Sequence, residues 1–243
     1  MIDPEPLAVA IAARSQEIQR RIDAAARAAD RDPTTVRLVA VTKTFGPEVV
    51  AAAWQAGLTR FGENRVQEAE TKLAAAPDAE WHLIGHLQSN KARRAIESFA
   101  WIHGVDSLDL LERLDALAGD APRRPRLLLQ VNVTEALGQH GLPLSAIVPD
   151  GPDFGAVVDR LRNTHHASVV GLMAIGPFST DPAASHSAFA RVRVLRDHLE
   201  QAVGHGLPEL SMGMTGDFEA AIAEGATLVR IGTALFGVRS TEV

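Results

Sequence analysis

Lys43 closes an apolar run, Leu38 to Thr42, and its type and place suggest chemistry most directly. A lysine at the end of a buried strand is costly unless it has a partner or a task. Desolvation lowers an amine's pKa, and a neutral amine forms a Schiff base with a carbonyl. The commoner use of such a lysine is plainer: the stem is buried and the ammonium snorkels to water. Two further stretches shift that balance. Ser211-Met212-Gly213-Met214-Thr215-Gly216-Asp217 and Arg230-Ile231-Gly232-Thr233 each close an apolar run and are rich in Gly, Ser and Thr. Backbone N–H groups of Met212, Gly213, Gly232 and Thr233 could point at a phosphate, with the Ser211 and Thr233 hydroxyls adding bonds. The same residues also suit tight turns at Gly213 and Gly232 and a helix cap at Thr215 or Asp217. An amine opposite a phosphate cup describes a pocket for pyridoxal phosphate, in which the phosphate anchors the cofactor and the lysine captures its aldehyde. Phosphosugar enzymes use the same cup, so spacing alone leaves both readings open.

These residues need elements to position them. Short apolar runs occur at 37–42, 59–62, 81–85, 101–105, 126–133, 168–175, 208–212 and 227–231. They are continuous rather than alternating, as expected for strands buried on both faces. Helical spacing fills the intervals at 47–56, 64–75, 108–118, 183–203 and 217–224. A further helix is expected over 5–30, where Leu7, Ile11, Ile18 and Ile22 share one face. Strand then helix, eight times over, predicts a single (β/α)8 TIM barrel with an additional N-terminal helix. An open doubly wound sheet is the other option, but no G-x-G-x-x-G turn follows the first run. Residues 134–156, with their Gly and Pro, read as a long loop holding at most one helical turn. Nothing resembles a linker, so residues 1–243 are expected to form one barrel domain.

In a barrel, chemistry sits at the carboxyl ends of the strands. Besides Lys43 and the cup, those ends carry Glu63, Asn64, His86, Lys91, Asp106 and Asn132. Glu63 with Arg65, and Asp106 with Lys91, suit ordinary ion pairs. His82 and His86 are four apart on a strand, which points one of them into the barrel. The chain has no cysteine and no tyrosine. That excludes disulfides, thiolate metal sites and a cysteine nucleophile, and no metal site is expected. A formal net charge of -6 argues against a nucleic-acid surface. The N-terminus lacks a basic start and apolar core, and no apolar stretch approaches the roughly 20 residues that span a bilayer. A cytoplasmic protein is expected.

Longer motifs carry a resemblance. Val41-Thr42-Lys43-Thr44, Phe61-Gly62-Glu63-Asn64-Arg65-Val66-Gln67-Glu68, Trp81 to Lys91, Gly171-Leu172-Met173, Ser211 to Met214 and Val229 to Gly237 resemble the YggS/PROSC family of pyridoxal-phosphate homeostasis proteins. The resemblance runs from about residue 5 to 238. It implies an alanine-racemase N-terminal-domain-like barrel that binds pyridoxal 5'-phosphate and buffers or carries it in the cytoplasm, with no accepted substrate reaction. It implies Lys43 as the Schiff-base lysine, and Ser211, Gly213, Gly232 and Thr233 as the phosphate cup. Arg230 would then face the pyridine nitrogen and Asn64 would sit near the ring. Two stretches depart from the family pattern. A Ser-Gly-Glu stretch followed by Lys-x-Gly is replaced by Thr134 to Gly141, and a Ser after Met214 is replaced by Thr215.

Racemases of this fold oppose the lysine with a tyrosine, and this chain has none; Phe236 stands where they often carry one. The expectation is therefore a cofactor-holding protein rather than a committed enzyme. An amino-acid racemase or decarboxylase, with a histidine such as His86 as base, is the alternative. An aldolase-type lysine enzyme explains the cup but not the motifs. The expected partners are the cofactor and apo-enzymes that receive it, and the expected state is a monomer.

Overall fold

The computed structural model describes residues 4–135, 138–177, 179 and 181–237. Eight parallel strands form the barrel: β1 (Arg37–Val41), β2 (Arg60–Glu63), β3 (Glu80–Leu83), β4 (Trp101–Val105), β5 (Arg126–Asn132), β6 (Ser168–Ala174), β7 (Glu209–Ser211) and β8 (Leu228–Ile231). Each pairs with the next, and β8 closes the ring on β1 with Val39 opposite Arg230. All eight apolar runs are strands, to within two residues at their ends. Around them lie α1 (Pro4–Ala28), α2 (Pro47–Gln55), α3 (Val66–Glu70), α4 (Ala92–Ser98), α5 (Leu108–Gly119), α6 (Leu144–Ile147), α7 (Phe154–Arg162), α8 (Pro182–Val203), α9 (Phe218–Ala223) and α10 (Thr233–Phe236).

Strand parity divides the apolar residues into two cores. Val39, Trp101, Leu128, Met173 and Leu228 form a small cluster of their own. Their immediate neighbours on the chain, Ala40, Ile102, Leu127, Leu129 and Val229, belong to the large cluster shared with the helices. The first set fills the barrel interior and the second lies between barrel and helices. The N-terminal helix α1 buries Ile11, Ile18 and Ile22 in the outer cluster, as its spacing predicts.

Three helical details differ from expectation. The helix expected over 64–75 stops at Glu70 and continues as a 3-10 turn at Leu73–Ala75. Lys72 lies at that break, and its ammonium is drawn into the wall by two carboxylates. Helix α4 was not legible, because its buried face is mostly alanine: Ala92, Ala95 and Ile96. Helix α7 begins inside the stretch read as loop; its buried Val157, Val158 and Leu161 follow a run of Gly and Pro that masked them. Elsewhere in that stretch Leu142–Pro143 pairs beside β5 and α6 supplies the single helical turn.

Candidate functional site

A cavity of about 750 Å³ opens at the carboxyl ends of the strands. Parity decides which side chains reach it. Val41 and Lys43 share the inward register of Val39, whereas Thr42 faces out. On β8, Arg230 shares the inward register of Leu228. Lys43, Asn64, Arg230, Gly232 and Thr233 all line this one cavity, with Met173 and Ile175 among its apolar wall.

Arg230 lies at the floor, 4% exposed. Its guanidinium donates to the Ser211 carbonyl and hydroxyl, both at 2.6 Å, and to the Ala174 carbonyl at 2.8 Å. Among the described residues no carboxylate pairs with it; burial lowers its pKa to about 10, against the milder pull of Asp217. It is therefore a charged group at neutral pH, buried and held by neutral acceptors.

Below Arg230 a chain of polar groups runs down the barrel axis. Ser211 Oγ lies 2.9 Å from His103 Nδ1, His103 Nε2 lies 3.0 Å from His82 Nδ1, and His82 Nε2 lies 3.2 Å from Glu80. Burial lowers the pKa of both histidines, His103 well below the usual range, so each ring is neutral near pH 7. Glu80 is held at about 2, chiefly by His82, and accepts only. That fixes every proton. His82 donates from Nε2 to Glu80, His103 donates from Nε2 to His82, and the Ser211 hydroxyl donates to His103. His82 also stacks on Trp101, with centroids 5.4 Å apart.

Behind Lys43, outside the barrel wall, sits a second buried polar group. Lys72 Nζ, 2% exposed, donates to Glu63 at 2.7 Å, Glu68 at 2.8 Å and the Thr42 carbonyl at 2.9 Å. Thr42 Oγ1 also donates to Glu63, at 2.6 Å. Burial raises the Glu63 pKa against the opposing pull of Lys72 and Thr42. Thr44 adopts φ 70°, a left-handed conformation rare for a β-branched residue. Its N–H donates to Glu68. Strain of this kind persists only where surroundings over-determine it; here Lys72 and Glu68 pin the backbone on both sides of Lys43.

The rim is built differently. His86, after β3, and Asp106, after β4, meet at 2.6 Å. Gln130 and Asn132 of β5 donate to the carbonyls of His140 and Gln139, at 2.9 and 3.3 Å, and hold that loop across the mouth. His140 thereby stacks on His86, with centroids 3.8 Å apart.

Other candidate residues have different surroundings. Ser211, Met212 and Gly213 do not line the cavity; Met214, Thr215 and Gly216 do. The Ser211 hydroxyl is engaged by His103 and Arg230, and Met212 is fully buried in the outer core. Gly213 turns at φ 93°, where an added Cβ would lie 2.6 Å from Ala221. So glycine is needed there for packing. Glu63 pairs with Lys72 rather than Arg65, and Asp106 pairs with His86 and His140 rather than Lys91. His86, Asp106 and His140 place their ligating atoms within 4.8 Å of one another. The sequence signalled His86 and Asp106 as strand-end residues, but nothing in it signalled Lys72 or His140. Residues 136–137 of the departing stretch lie outside the described residues.

Residues 14–240 match the alanine racemase N-terminal domain. The chain is similar to the pyridoxal phosphate homeostasis protein of Pseudomonas aeruginosa, at 44% identity over 231 residues, covering 94% of this chain and 96% of that one. The chain belongs to this family. Its fold is also that of PipY, a family member of Synechococcus elongatus solved with PLP bound. The two are 40% identical with a TM-score of 0.79, covering 93% of this chain and 100% of that one. Alanine racemase from Corynebacterium glutamicum shares the fold at 18% identity and a TM-score of 0.71, covering 96% of this chain and 62% of the racemase. The closed barrel with its N-terminal helix is thus the alanine-racemase type. No helix among the described residues is long and apolar enough to cross a membrane.

Proposed function

We propose that this family member holds pyridoxal 5'-phosphate for cofactor homeostasis, carrying it as a Schiff base on Lys43, without a committed reaction of its own. One observation carries the reading: Lys43 and a buried guanidinium, with no carboxylate ion pair among the described residues, face the same cavity. Homeostasis relatives at up to 44% identity, and PipY with PLP bound, support it.

The residues present fit the group. Arg230 offers donors and positive charge but cannot accept a proton. It suits a pyridine nitrogen kept unprotonated, and Asn64 lies close enough to the cavity to border the ring. The backbone at Thr215, Gly216, Gly232 and Thr233 lines the far side, with two hydroxyls, and suits a phosphate. A Cβ on Gly232 would come within 3.3 Å of the Val41 carbonyl, so glycine lets this turn pack closely against β1. Ser211, Met212 and Gly213 support this cup from beneath. When bound, the cofactor supplies an aldehyde for the amine and a ring that withdraws electrons. The chain's own part is to orient Lys43 from a pinned backbone and to hold Arg230 rigid. An arginine at the ring nitrogen makes a poorer electron sink than an aspartate would, which favours holding over turnover.

The reading extends to a monomeric, cytoplasmic protein of one barrel domain that passes the cofactor to apo-enzymes. The test is the visible absorbance of the protein mixed with pyridoxal phosphate. A band that Lys43→Ala removes supports it; a protein that takes up no cofactor overturns it. One observation favours a second reading, a racemase or decarboxylase: His86, hydrogen-bonded to Asp106, lines the cavity with Lys43. Lysine-dependent exchange of an amino acid's α-hydrogen in deuterated water, with a preferred substrate, would establish that instead.

A further inference from the structure

The rim cluster is an arrangement that cofactor holding does not require. Asp106 is 9% exposed, and among the described residues its ion-pair partners are two imidazoles. His86 Nδ1 lies 2.6 Å and His140 Nδ1 3.3 Å from the same oxygen, Oδ2. The rings lie face to face, 9° from parallel. Two nitrogens thus converge on a single carboxylate oxygen from one side. The three residues come from three separate segments, so chain neighbourhood does not explain their meeting.

We propose that His86, Asp106 and His140 form a binding site for a zinc-class divalent ion on the rim of the cavity. Two imidazole nitrogens and one carboxylate oxygen are the ligand types that zinc, cobalt and nickel prefer, whereas calcium and magnesium take oxygen. Ligand atoms about 2.0–2.1 Å from a tetrahedral ion stand about 3.3 Å apart. The Asp106–His140 contact already has that spacing, and the Asp106–His86 contact opens slightly. An ion takes the Nδ1 lone pair of each neutral imidazole, whose proton then sits on Nε2, so one hydrogen bond and one ion-pair contact to Asp106 give way to three coordination bonds. Both rings are partly exposed, 39% and 55%, and would turn out of their stack to aim both lone pairs at one ion. Three protein ligands leave a fourth position for water or for an anionic group in the cavity. Coordination of His140 also ties its loop to the ends of β3 and β4. This site does not depend on the cofactor reading, and its test reads the metal directly.

The experiment is titration of the purified chain with Co2+, followed by visible d–d absorbance, and competition by Zn2+ in calorimetry. The expected result is one saturable site per chain. His140→Ala and Asp106→Asn should each weaken it by roughly tenfold or more, with far-UV circular dichroism unchanged. A His165→Ala/His166→Ala variant, which removes the adjacent histidine pair elsewhere, should bind as the parent does. No saturable site, or equal affinity in His140→Ala, overturns the proposal.

Discussion

Two histidine pairs occupy the two ends of the same cavity and have opposite characters. His82 and His103 lie beneath the floor, fully buried and neutral, with each proton assigned by the carboxylate of Glu80 at one end and Arg230 at the other. His86 and His140 lie on the rim, exposed by 39% and 55%, and share one aspartate. Burial makes the difference. A neutral imidazole in a closed chain has both nitrogens committed, so it can only position its neighbours, here Ser211 and Arg230. An imidazole at the rim faces solvent, so its Nδ1 can exchange the contact with Asp106 for a ligand. The buried group behind Lys43 belongs with the floor: Lys72, Glu63 and Glu68 fix a backbone and touch no cavity.

Substitutions should therefore be severe below and beside the cavity and mild at its rim. The largest loss is expected from Lys72→Ala, which leaves the Glu63 carboxyl buried without its ion-pair partner; about 3–5 kcal/mol of stability should go, read by urea unfolding. Near-parental stability in that variant would break the contrast. His103→Leu comes next. It strips a partner from both Ser211 and His82, and each orphaned group costs about 1–3 kcal/mol. The same variant should alter cofactor uptake through Arg230, which a purely structural role would leave alone.

A pH series sharpens the contrast further. Both floor histidines have pKa values lowered by folding, so the unfolded chain takes up protons first as pH falls below its histidine range. Stability from His82 and His103 is whole above about pH 6.5 and falls as pH drops toward their folded values, by up to about 1.4 kcal/mol per pH unit for each. Chemical denaturation between pH 7 and pH 5 measures that slope, and His103→Leu should reduce it. The smallest effect is expected from His140→Ala, within about 0.5 kcal/mol in thermal or urea unfolding without metal.

Much of this was legible in the chain. Eight apolar runs of strand length, each closed by polar residues, specify a parallel barrel because strands buried on both faces need that patterning. Lys43, Asn64, Arg230, Gly232 and Thr233 were legible as well, since a barrel gathers its strand ends at one mouth. What was not legible depended on which of several nearby groups lines the cavity. Ser211 and Thr215 are both hydroxyl residues in one Gly-rich stretch, and only the packing of His103 and Arg230 against Ser211 shows that its hydroxyl is engaged and that Thr215 faces the cavity. His140 shows the same limit at longer range. Nothing in the sequence between Thr134 and Gly141 says that Gln130 and Asn132 draw that loop over the mouth and set its imidazole on His86. Local patterning fixes strands, helices and their order because those follow from the residues' own periodicity. The partners of a buried hydroxyl or a loop histidine are set by distances between segments, and only the closed barrel determines them.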